Sequence, residues 1–407
     1  MGEWPLVSLG EVAQLLAGYP FESAKFTDDP SAPRLLRGDN VGQGVLRWDG
    51  AKRWPAALDD GLEPYWLQPD DVIVAMDRPW IEAGLKFAAV GRADLPSLLV
   101  QRVSRLRGSA RLDTRFLRYV IAASAFTNHI LAVQTGTTVP HISARQILGY
   151  QFHLPPIEEQ QRIAGILGAL DDKIELNCRT AASLVELCRL AFESRLEEIK
   201  AEQPVGPLML GEVLDVLETG GRPQGGVSGY SDGVPSIGAE SITGLGQFDF
   251  SKTKYVPEEY FATMRRGKLE NRDVLLYKDG GRPGLFEPHV TMVGDGFPFE
   301  TAAINEHVYR LRARPPYTQT LLYLWLAGAE AMNEMRVKGT GVAIPGLNST
   351  ALRSIHVPVL RPDAARELDR ILEPLVARVL LAARESRVLA RTRDLLLPRL
   401  LGTPEMQ

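Results

Sequence analysis

The chain of 407 residues says much the same thing twice. Residues 151–177 and residues 354–377 each pass from a short apolar run through proline into a long helical pattern. Shorter echoes accompany them. Leu9-Gly10-Glu11-Val12 recurs as Leu210-Gly211-Glu212-Val213, and Val103, Arg105, Leu106 and Arg107 recur as Val308, Arg310, Leu311 and Arg312. Gly136-Thr137 with Pro140 recurs as Gly339-Thr340 with Pro345. Repeats this far apart are too long for a solenoid, so the chain is read as a duplicated domain.

The helical pattern after each copy carries a seam. Ile163, Leu167, Leu170, Ile174, Asn177, Ala181, Leu184, Cys188 and Ala191 step by four and three, as do Leu368, Leu372, Leu375, Val379, Ala382, Ser386, Leu389, Arg393, Leu396 and Leu400. That stepping marks coiled-coil helices about four heptads long. Pairing them antiparallel with Asn177 opposite Ser386 matches the remaining layers: Leu167 with Leu396, Ile174 with Leu389, Leu184 with Val379. A polar layer of this kind commonly fixes register. A slip of one heptad would also match apolar positions, and the alternative is that each helix packs on its own domain. Pro156 and Pro362 suit the first turns, where a missing N–H costs nothing, whereas Pro374 is expected to kink the second helix.

Ahead of each helix lie short apolar runs separated by Gly, Pro and Asp. Arg34–Leu36, Asp71–Ala75, Leu98–Val100 and Val103–Leu106 read as strands, as do Val234–Ile237 and Asp273–Tyr277. One helix is expected over Thr114–Val133 and another over Tyr317–Met335. The expected fold class is therefore α+β: two small mixed domains and two long antiparallel coiled-coil helices, related by an internal pseudo-two-fold duplication.

Composition narrows the function classes. Apolar residues make up 45% and charged residues 24%, as in an ordinary soluble protein. No basic region followed by an apolar run opens the sequence, and Leu321–Ala329 is too short to span a bilayer, so a cytoplasmic protein without a membrane partner is expected. Cys178 and Cys188 lie roughly 15 Å apart along a helix, too far to bond. No Cys/His spacing suggests a metal. A net charge of −4 argues against coating nucleic acid by bulk charge, yet leaves room for a basic face.

The run Gly136-Thr137-Thr138-Val139-Pro140-His141-Ile142-Ser143, followed by Leu154-Pro155-Pro156-Ile157-Glu158-Glu159-Gln160-Gln161-Arg162-Ile163, closely resembles the type I restriction–modification specificity subunits. The weaker second copy extends the resemblance over nearly the whole chain, although Arg361–Glu367 lacks the Glu-Glu-Gln signature. The resemblance implies target-recognition domains over 1–150 and 206–353, and spacer helices over 151–205 and 354–407. Each domain would read one half of an asymmetric bipartite site in double-stranded DNA. The helices would set the spacer and dock two modification subunits, which methylate adenine with S-adenosylmethionine; restriction subunits can join them. The chain itself would hold no cofactor, no metal and no catalytic residue.

Affinity for DNA comes mainly from Lys and Arg on phosphates, and sequence is read by side chains at base edges. Basic residues in the expected loops are the DNA-binding candidates: Arg34, Arg37, Lys52, Arg53, Arg78 and Lys86 in the first domain, and Arg222, Lys252, Lys254, Lys278 and Arg282 in the second. Arg222 and Arg282 share a Gly-Gly-Arg-Pro context that lets backbone approach a groove. The denser run Arg102, Arg105, Arg107, Arg111, Arg115 and Arg118 is read instead as a core strand and the solvent side of a helix. A stand-alone methyltransferase is disfavoured, since Leu154-Pro155-Pro156-Ile157 lacks the Asn or Asp and the aromatic that such chemistry needs. A scaffold that binds protein alone is the other alternative.

Overall fold

The computed structural model describes residues 4–55, 61–136, 139–202, 208–248, 250, 253–282, 284–341 and 345–402. Contacts divide the chain into two compact units, Met1–Asp172 with Arg391–Gln407, and Lys173–Ala390.

In the first unit an antiparallel sheet has the spatial order Ala13–Ala17, Val103–Gly108, Val72–Ala75, Phe87–Ala89. The second unit repeats it with Leu214–Thr219, Val308–Ala313, Val274–Tyr277 and Val290–Met292. The repeated Val-x-Arg-Leu-Arg segment is the second strand in both sheets, with neighbours on either side. Alternation serves its two faces. Leu106 packs with Val74, Phe116 and Leu117 in the main core, while Val103 joins Leu36, Val41, Ile73 and Leu99 on the opposite side.

A smaller sheet stands beside each large one. Arg34–Leu36 pairs parallel with Ser97–Leu99, and Val234–Ile237 pairs parallel with Ala303–Ile304 and antiparallel with Lys254–Val256. Glycine lets the chain pass close by. A Cβ on Gly18 would lie 2.1 Å from the Val100 carbonyl oxygen, and one on Gly220 would lie 1.5 Å from that of Ile304. Each unit closes with a short pair ahead of its long helix: Leu6–Ser8 with Gln151–His153, and Leu208–Met209 with His356–Val357.

The two single helices expected from the apolar pattern are each broken in two. Thr114–Ala122 and Ser124–Val133 meet at 67° where Ala123 becomes extended. Gln319–Ala327 and Ala329–Lys338 part at extended Gly328. In the first pair both pieces enter one core, through Phe116 and Leu117 and through Phe126 and Ile130, so periodicity gave no sign of the corner. Among the described residues no single helix is long and apolar enough to cross a membrane. The bent first pair passes by length and composition, but Phe116, Leu117, Val120, Ile121, Phe126 and Ile130 belong to this core.

The long helices are Ile157–Glu202 and Pro362–Leu401. Pro362 takes the first helical position; Pro156 precedes the other helix, and its carbonyl accepts from the Glu159 and Gln160 amides. The kink expected at Pro374 is not a break: the helix continues through it. Arg370, whose carbonyl loses its donor to Pro374, is an exposed residue, as is Pro374.

Ile163 and Leu167 are fully buried in the first unit, in a core that Leu396 also joins, and Leu170 is half-buried. In the second unit Asn177, Leu372 and Val379 are buried, and Ile174, Leu184, Leu375, Ser386 and Leu389 are half-buried. The helices run antiparallel. Arg393 donates to Asp171 at 2.7 Å, the Cys178 thiol and Ser386 share a hydrogen bond, and Arg195 donates to Glu367 at 3.1 Å. Each contact lies within one residue of the register that sets Asn177 opposite Ser386. Ser386 engages Cys178, while the Asn177 amide nitrogen has no partner among the described residues.

Candidate nucleic-acid interface

In the first unit the strand Val72–Ala75 delivers Asp77 and Arg78 to the sheet's edge. Asp77 accepts from Arg102 at 3.0 Å and pairs with His141, which lies in the loop of the long signature motif. Arg78 is exposed with a φ of +45°, a left-handed residue held by its amide bond to the Pro140 carbonyl at 2.7 Å. Lys86 is half-buried. Burial lowers its pKa, Asp39 works against that, and Arg78 adds to it. Arg37 is exposed with its guanidinium 3.8 Å from Asp39. Arg37 and Lys86 thus lie close to Asp39, and Arg78 lies close to Lys86.

The other candidates of this domain are placed differently. Arg34 donates to the Ala93 carbonyl at 2.7 Å and lies 4.3 Å over the Trp48 ring. Arg53 donates to the Ala32 carbonyl. These two guanidiniums hold loops together. Lys52 is exposed beside them. The residues that sequence reasoning missed are Trp80 and Ile81, exposed on the hairpin that follows Arg78. A tryptophan in a Pro- and Gly-punctuated loop was the available signal.

In the second unit a cleft of about 330 Å³ opens at the corresponding sheet edge, lined by Arg222, Ser236, Glu240, Lys254, Asn305 and His307 among others. Arg222 enters it just after the close approach at Gly220 and pairs with Glu306 at 2.7 Å. Lys254 is exposed at its margin. Lys278 turns inward, donating to the Glu306 carbonyl at 3.3 Å and lying 3.5 Å from Asp279. Asp279 in turn pairs with His307 at 3.2 Å, as Asp77 does with His141. Arg282 projects from the hairpin tip, with Glu287 3.8 Å away. Lys252 lies outside the described residues.

Three members of the densest arginine run are structural. Arg105 is buried and donates to the Pro64 carbonyl, Arg107 pairs with Asp71, and Arg118 pairs with Asp171 at 2.8 Å. Its counterpart Arg310 is buried among Asp273, Glu218 and Glu270. Burial works against that guanidinium's charge, but the hydrogen bonds it donates to Asp273 and Glu218 outweigh it and raise its pKa. A buried cation is tolerable when its donors are satisfied in this way.

The Glu-Glu-Gln signature also has a structural role. Gln160 is completely buried; its carbonyl accepts from the Asp113 amide, and its amide donates to the Arg111 and Pro155 carbonyls. It fastens the start of the long helix to the domain. In the second unit that position is Ala365, also buried, and Gln319 makes a comparable set of bonds to Ala313, Leu311 and Arg272. Among the described residues no three His, Cys, Asp or Glu side chains converge as metal ligands would.

Residues 1–185 match the family model of the type I restriction modification DNA specificity domain. Over its first half the chain is similar to type I specificity subunits. It is 35% identical over 173 residues to the type I restriction enzyme EcoAI specificity subunit of Escherichia coli, an alignment covering 42% of this chain and 28% of that one. It is 24% identical to the EcoBI specificity subunit of the same organism over 92% of this chain and 79% of that one. The fold resembles the S subunit of a type I restriction-modification system from M. genitalium, with a TM-score of 0.54, 15% identity, and coverage of 99% of this chain and 97% of that chain.

Proposed function

We propose that this chain is the DNA-reading, non-catalytic subunit of a type I restriction–modification complex. Its two domains, over about 1–150 and 206–353, each read one half of an asymmetric bipartite site in double-stranded DNA. The observation that carries this reading is a duplication that keeps the frame and changes the surface. Sheet order, closing strand pairs and long helices recur, while Arg37, Arg78 and Lys86 in one copy give way to Arg222 and Lys254 in the other. Identical half-sites would need identical surfaces. These differ, so the two half-sites differ.

The helix pair supports the docking of two modification subunits. Exposed Ile166, Leu176 and Leu190 on the first long helix recur as exposed Ile371, Leu381 and Leu395 on the second, at the spacing that relates the seam pairs Leu167/Leu372 and Leu170/Leu375. Apolar residues held in water at equivalent places on a duplicated scaffold fit two copies of one partner. The partners would bring S-adenosylmethionine and methylate adenine, with restriction subunits joining in the cytoplasm.

Methylation mapping in the native host tests this. The expected result is a bipartite motif methylated on adenine that disappears when the gene is deleted. If the purified complex showed no sequence-selective, salt-sensitive DNA binding, a protein-only scaffold would replace this reading.

A further inference from the structure

The candidate DNA-facing surface of each domain contains a carboxylate at the same place in the fold. The strand Arg34–Leu36 runs into the short 3-10 turn Gly38–Asn40, and Val234–Ile237 runs into the turn Ala239–Ser241. The middle residue of each turn is acidic and exposed, Asp39 in one and Glu240 in the other. Asp39 lies beside Arg37 and close to Lys86, and Glu240 lines the cleft with Arg222, Lys254 and Asp279. The carboxylates at the strand ends differ. Asp77 and Asp279 are tied to His141 and Arg102 and to His307 and Lys278, which leaves them little capacity for a ligand. Glu240 has no ion-pair partner within 4.0 Å among the described residues, and Asp39 has only the loose contact to Arg37 at 3.8 Å.

An exposed carboxylate is costly on a surface that must approach phosphates, because it repels them. That cost is offset where the carboxylate accepts a hydrogen bond that no cation could. In the major groove the amino groups of cytosine and adenine are the donors. Adenine sets its amino group beside the N7 acceptor, which repels the second carboxylate oxygen; cytosine has no acceptor there. Resting on the DNA-reading function proposed above, we infer that Asp39 and Glu240 are specificity-determining residues, each accepting a hydrogen bond from the amino group of a cytosine in its own half-site.

The test uses the full complex with its modification subunits, on a randomised DNA library read out by adenine methylation. Glu240→Gln should lower the preference for cytosine at one position of one half-site by about tenfold, and Asp39→Asn should do so in the other half-site only. Each variant removes one negative charge, so binding to unrelated DNA should tighten at low salt while discrimination falls. An unchanged motif in both variants would overturn the inference. So would a uniform loss of methylation across all sequences, which marks a structural role. If the unaltered complex shows no bipartite motif, the underlying function fails instead.

Discussion

Asp171, on the first long helix, accepts a hydrogen bond from Arg393, on the second, at 2.7 Å, and the Tyr119 hydroxyl of the domain core donates to the same carboxylate at 2.8 Å. Arg118 completes the group at 2.8 Å. One nearly buried carboxylate therefore joins a domain helix and both long helices within the first unit. Asp171→Ala takes the counter-ion from Arg118, leaves Arg393 with Asp394 alone, and should destabilise the protein by on the order of 3 kcal/mol. Urea unfolding followed by circular dichroism measures it, and a change below 1 kcal/mol would show that solvent takes over Asp171's part.

The register of the helix pair is open to chemical test. With Cys178 and Cys188 replaced, Leu184→Cys combined with Val379→Cys should form a disulfide under mild oxidation, whereas Leu184→Cys with Leu372→Cys, one heptad away, should not. The three contacts bracketing this register make the first outcome the expected one.

Cations that face outward and cations that brace loops should behave differently. Arg78→Ala or Lys254→Ala should weaken binding to all DNA sequences and reduce the salt slope by roughly 1 if each contacts one phosphate. Arg34→Ala removes a bond to a carbonyl and a stacked ring, so it should lower the melting temperature while changing the salt slope less. Equal slopes for all three variants would contradict this division.

Burial lowers the pKa of Lys86. Its charge is therefore present at low pH and lost as pH rises through the folded value, ahead of exposed lysines. DNA affinity at fixed salt should fall on the alkaline side in the unaltered complex. Lys86→Arg keeps its charge and should flatten that fall. A parallel decline in both proteins would assign it to other groups.

Leu187 and Leu190 share an exposed stripe with Leu176 on the first long helix. Replacing Leu187 and Leu190 by Glu should reduce binding of the modification subunit at least tenfold, by about 1.4 kcal/mol or more. Fold stability should change little, since neither side chain belongs to a core. Sedimentation of the mixed subunits distinguishes loss of a partner from loss of the fold.

What the sequence revealed follows from periodicity. A step of four and three over many turns has few explanations, so the seam from Ile163 to Leu400 was legible, as were strands such as Val72–Ala75 that sit between turn signals. The corner at Ala123 was not, because leaving the helix for one residue kept both apolar faces in the same core. Side-chain destinations were the least legible. Arg34 and Arg78 look alike in a loop, and only the fold shows one reaching a carbonyl and the other facing water. Attention to cations also passed over Asp39 and Glu240, although each sits just after a recognisable strand. Gln160 was noticed for its motif, but its buried bonds needed the domain around it.

Asn177 carries a consequence of another kind. It is enclosed between the long helices, and its amide nitrogen meets no acceptor among the described residues. Such a group costs about 1–3 kcal/mol, which leucine at the same place would avoid. Yet a uniformly aliphatic seam would be content in more than one alignment, and a slide of one heptad would set Asn177 against Val379. The misfit works as a single graduation mark: it weakens the joint slightly and disfavours every other alignment of the seam.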